Sequence, residues 1–183
     1  MRKDYSMGLG KVSLLLLAGV LATSSGACGK SICSLGNVKA CDNVNVLISP
    51  RLSKVISDFV GHGLYKFRGH TYTVHEVLIG NLGGVPRDRI DLNGDSVFLA
   101  CHYHECDFRA GVSFDTNNRI DSAFMYVPAD SSEDWKNPEY KLLIYRKKEA
   151  PLSEADIKNL VSQDLKRSDI VPVKMSVSVY NVD

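Results

Sequence analysis

Two cysteines five positions apart, Cys101 and Cys106, stand between two runs of strand-forming residues. In an oxidising compartment such a spacing allows a disulfide only if the backbone reverses between them. The flanking runs, read as strands over 96–103 and 108–115, must then lie antiparallel. Closing so small a ring removes roughly 2 kcal/mol of unfolded-chain entropy. The ring also carries His102, Tyr103, His104 and Glu105, with His104 and Glu105 expected at its tip. A second pair, Cys33 and Cys41, encloses Gly36, Asn37 and Lys39 and has no comparable chemistry; it reads as a structural staple.

Export makes those disulfides reasonable. Residues 1–27 read as a signal peptide: Arg2 and Lys3 open it, Val12 to Leu21 is an apolar run too short to span a bilayer, and Ser25-Gly26-Ala27 supplies small residues for cleavage. Asp4 is against the pattern, and a start at Met7 would leave Lys11 as the positive charge. Cleavage would fall before Cys28, a candidate lipidation site that lacks the usual Leu three residues earlier. Five cysteines are an odd number for a secreted chain. Lipid on Cys28 would leave Cys33–Cys41 and Cys101–Cys106 as two pairs. The alternative is plain secretion with Cys28 free, paired nearby or removed. The expected location is the periplasm, free or anchored at the outer membrane.

The remainder, 28–183, has the length of one domain. Loss of Arg2, Lys3, Lys11 and Asp4 removes three positive charges and one negative, so the formal net charge of +1 becomes −1. A nucleic-acid partner would need a clustered basic excess, and none is present.

The periodicity predicts an α+β domain: an antiparallel sheet of five to six strands with two helices packed on one face. Residues 29–48 read as an extended, stapled lead-in. Ser49 caps a helix with Pro50 in its first turn, apolar Leu52, Val55, Ile56, Phe59 and Val60, and Gly61 at its end. Residues 71–79 are β-branched and aromatic and read as a strand, broken by the glycine-rich 80–86. Asn93-Gly94 marks a turn. Strands are expected over 96–103, 108–115, 120–127 and 142–146, with a polar loop at 128–138 holding Trp135, a candidate secondary contact. Ser153 and Asp156 then start a second helix with an apolar stripe of Ile157, Leu160, Val161 and Leu165. Val173, Met175, Val177 and Val179 alternate with polar residues as a last, half-buried strand.

The pattern Cys101-x-x-His104-acid-Cys106 leaves an apolar strand and precedes a hairpin that ends in Phe. Over about residues 90–127 it resembles the inhibitor of vertebrate lysozyme family, often called Ivy. The resemblance implies that the disulfide-closed loop enters a lysozyme cleft, with His104 reaching the catalytic carboxylates and Glu105 as its acidic neighbour. The family more often has Asp at that neighbour, and commonly Lys-Pro where this chain has His102-Tyr103. An imidazole suits such a target because it donates to, or accepts from, a carboxyl pair of which one member is protonated. Tyr103 would pack in the sugar-binding cleft. Target-binding residues are thus His104, Glu105, Tyr103 and His102, and the implied partner is a lysozyme or lytic transglycosylase.

Three other classes compete. A periplasmic immunity protein against a wall-degrading toxin would use the same insertion. A metal-binding protein would use Cys101, His102, His104 and Cys106, with His62, His70 and His75 earlier in the chain; disulfide formation removes its thiolates. An enzyme would need a free, activated cysteine; Gly-x-Ser-x-Gly, a phosphate-binding glycine loop and His-Glu-x-x-His are all missing. The chain is therefore read as a non-enzyme without catalytic residues, metal or cofactor.

Overall fold

The computed structural model describes residues 31–67, 69–129, 139–171 and 175–183. The proposed signal peptide, Cys28, Trp135 and Val173 lie outside them.

The lead-in is compact rather than extended. It forms two short 3-10 turns, Val38–Ala40 and Val44–Val46, and buries Val38, Cys41, Val44 and Leu47 in the core. The Cys33–Cys41 disulfide holds it, with Cα atoms 4.7 Å apart. The Val38 amide donates to Asn118 Oδ1 at 3.0 Å, tying the lead-in to a distant turn.

Helix α1, Pro50–Val60, begins and ends as its sequence signals require. The Ser49 hydroxyl accepts from the Leu52 amide, and Gly61 closes the helix at φ +67°. Leu52, Ile56 and Val60 face the core. A short hairpin follows, β1 (Leu64–Phe67) paired with β2 (His70–Thr73).

The strand expected over 71–79 is a correction. Only its first residues are extended; Val74–Leu82 is helix α2. Thr73 accepts from the Glu76 amide while the Glu76 carboxylate accepts from the Thr73 amide, a reciprocal cap that fixes the helix start. Propensity favoured β here, but the cap and the burial of Val74, Leu78 and Leu82 decide for helix.

The large sheet has seven strands: β3 (Val85–Pro86), β4 (Ile90–Leu92), β5 (Asp95–His102), β6 (Glu105–Phe114), β7 (Ile120–Pro128), β8 (Tyr140–Lys147) and β9 (Met175–Val182). Its order is β3-β5-β6-β7-β8-β9, and β4 joins β3 along the outer side of β5. All pairs are antiparallel except β8 with β9. That exception follows from helix α3, Glu154–Arg167, which carries the chain back between the two strands. Ser153 and Asp156 form its capping box.

The α+β class with a mostly antiparallel sheet is as expected, but the helices distribute differently. Helices α1 and α2 pack on one face, against Phe98, Ala100, Val112, Ala123, Met125 and Leu143. Helix α3 packs on the other, where Ile157, Val161 and Leu165 meet Leu99, Phe124, Tyr126, Leu142 and Ile144. A sheet covered on both faces explains why its central strands are continuously apolar instead of alternating.

Candidate functional site

Strand β5 emerges from the core and turns at Tyr103-His104 into β6, with His102 and Glu105 as the last paired residues. Glu105 therefore belongs to the ladder, and the tip is Tyr103 and His104. Tyr103 is 63 % exposed, and His104 and Glu105 are also exposed. Of the two central residues only His104 has positive φ, +66°, the sign pattern of a type II turn. Glycine normally fills that position. A histidine there costs about 1 kcal/mol of backbone strain, and its exposed imidazole lies against the Tyr103 ring, whose centroid is 3.9 Å away.

The root of the hairpin is held by several independent contacts. Cys101 and Cys106 form the expected disulfide, with Cα atoms 4.8 Å apart. The register shifts between Cys101 and His102, so Cys106, Asp107 and Phe108 have no partner across on β5. Each of the latter two finds another anchor. Tyr140 Oη donates to Asp107 Oδ2 at 2.7 Å. The Phe108 ring meets Phe67 edge-on at 6.1 Å. On the opposite side, Gly84 lies against the hairpin backbone; a Cβ there would stand 1.9 Å from the Cys101 carbonyl oxygen. Only glycine permits that approach.

Below the root, Arg109 is fully buried. Its Nε donates to Asp164 Oδ2 at 2.5 Å, and Arg87 Nε donates to Asp164 Oδ1 at 2.6 Å. Ser168 Oγ accepts from both guanidiniums, at 2.8 and 2.9 Å. Burial pushes the Arg109 pKa down and the Asp164 carboxylate opposes that shift. This cluster ties the hairpin root to α3.

A cavity of about 280 Å³ opens beside the hairpin, bounded by β1, β2, α2, β5, β6 and β7. His102 and Glu105 face it, as do Asn81 and Glu76 of α2. Sequence reasoning missed Asn81, Glu76, Tyr65, Phe67, Tyr72 and Phe108 as neighbours, because four separate elements bring them together. The hydrogen bonds from Thr73 hold the Glu76 carboxyl below its usual pKa range.

The other candidate residues are apart from this site or engaged elsewhere. Cys33 and Cys41 staple the lead-in. His75 Nε2 lies 2.8 Å from Ser53 Oγ, and His70 sits against Tyr72. With Cys101 and Cys106 oxidised, no thiolate of the ring is available to a metal, and no cluster of three or more metal-ligating side chains occurs among the described residues. No helix among them is long and apolar enough to cross a membrane.

Comparison with protein-family models, curated proteins and solved structures returned no significant match.

Proposed function

We propose that the protein is an exported inhibitor of a lysozyme-type peptidoglycan glycosidase, a lysozyme or a lytic transglycosylase, and that its 101–106 hairpin enters the catalytic cleft. The observation that carries this reading is a disulfide-closed turn with His104 and Tyr103 at its exposed tip. Because the loop is ordered before association, binding loses less conformational entropy. The imidazole supplies a donor or acceptor to the target's carboxyl pair, and the tyrosine supplies an amphipathic ring to a sugar-binding groove. Bound this way, the hairpin blocks substrate access without any chemistry of its own.

The test is inhibition of cell-wall lysis across a panel of lysozymes and lytic transglycosylases, followed by affinity measurement on any enzyme inhibited. His104→Ala should weaken binding by more than about 1 kcal/mol, as an interface hot spot does, and leave the melting temperature unlowered. Unchanged affinity in that variant would remove the hairpin from the interface. Reductant should lower inhibition before the domain unfolds.

A further inference from the structure

The cavity beside the hairpin has chemistry that the inserted tip does not use. Its walls are aromatic: Tyr65 and Phe67 from β1, Tyr72 from β2 and Phe108 from β6. Its polar groups are unbalanced in an informative way. Asn81 is 2 % exposed, and its Nδ2 has no hydrogen-bond partner among the described residues. His102 Nδ1 is buried and also has none among them; Glu105 Oε2 is 3.9 Å away, beyond hydrogen-bonding distance. A buried donor left unpaired is unfavourable enough that native proteins rarely retain one without a reason.

Three ligand chemistries can be compared against these groups. An anion would pair with the Asn81 amide but face the carboxylates of Glu76 and Glu105. A cation would pair with the carboxylates but leave the Asn81 N–H unsatisfied, since it brings no acceptor. A hydroxyl resolves both demands, because it accepts from Asn81 and donates to His102 or a carboxylate. A ring with hydroxyls at its edge and an apolar face also fits aromatic walls. We propose that this cavity binds a neutral saccharide, one hexose ring in size. Gly80 adds a useful property: it lines the cavity, and a Cβ there would have no atom within 4 Å.

This inference does not depend on the hairpin's target, which the tip residues contact. It is tested by NMR titration of the disulfide-bonded protein with glucose, N-acetylglucosamine, tetramethylammonium chloride and sodium acetate. Either sugar should shift the amide signals of Asn81, His102 and Phe108, with a dissociation constant on the order of 1 mM; tetramethylammonium and acetate should not. Asn81→Leu should weaken sugar binding about tenfold or more. Gly80→Leu should abolish it by filling the space, without lowering the melting temperature. His104→Ala should leave sugar affinity unchanged, which separates this site from the hairpin tip. The absence of a shift with both sugars, binding by tetramethylammonium or acetate alone, or full sugar affinity in Gly80→Leu would each overturn the assignment.

Discussion

Strand β5 carries polar groups at both ends and treats them in opposite ways. At its start Asp95 is 2 % exposed and lies beside Asp121, itself 3 % exposed. Burial, with a hydrogen bond and repulsion from Asp121, raises the Asp95 pKa from 3.8 to about 7. The Ser113 hydroxyl donates to Asp121, while Asp95 Oδ2 and Asp121 Oδ2 accept no hydrogen bond from any other described residue. At its other end the strand delivers His102 to the hairpin, where His104 stands in solvent at positive φ. At the buried end a protonated Asp95 donates to Asp121, so the demand is met inside the protein. The exposed His104 imidazole, on a strained turn, meets the Tyr103 ring but makes no hydrogen bond among the described residues, and this makes it suitable for an external partner.

The largest expected effect tests the buried end. A carboxyl whose folded pKa exceeds its unfolded pKa binds its proton more tightly in the native state. Its contribution to stability is therefore complete below pH 3.8 and is lost as pH rises through about 7. Urea unfolding of the wild type should show a loss of roughly 2–4 kcal/mol from this group across that window. Asp95→Asn should flatten the profile; an equal slope in the variant would mean that Asp95 is not the group that takes up the proton.

The next effect tests how firmly the exposed end is positioned. Gly84→Ala forces backbone away from Cys101 and should destabilise the domain by about 2–3 kcal/mol. Inhibition should fall more than the loss of folded protein explains, because the tip moves with its root. An unaltered hairpin in the variant's NMR spectrum would contradict that account.

The smallest effect separates strain from recognition. His104→Gly removes the cost of positive φ and should stabilise the protein by roughly 0.5–1 kcal/mol, net of glycine's unfolded-state entropy. The same change should weaken target binding at least as much as His104→Ala. A more stable variant that still inhibits fully would show that the imidazole is dispensable.

Much of this contrast was legible in the residues, though unevenly. Helices α1 and α3 were readable because their limits are written in adjacent positions: Ser49, Pro50 and Gly61 for one, Ser153 and Asp156 for the other. Both disulfides followed from local spacing. Helix α2 was missed because β-branched composition outweighed a four-residue cap, Thr73 to Glu76, that was present in the sequence. The parallel placement of β9 could also have been inferred, since a helix between two strands carries the chain back to its starting end. The opposite-face packing of α3 was signalled by unbroken apolar runs such as Val97-Phe98-Leu99-Ala100. By contrast, the Asp95–Asp121 pair and the Asn81 cavity join residues remote in sequence, and no local pattern announces them.

The double grip of Asp164 on Arg87 and Arg109 has a mechanical consequence. A pull on the protruding tip passes down β6 to a guanidinium anchored in a helix on the far side of the sheet. The load is thus spread across two layers before any ladder rung must shear. A projection braced in this manner withstands being wedged into, and dragged out of, a tight opening without deforming the body that carries it.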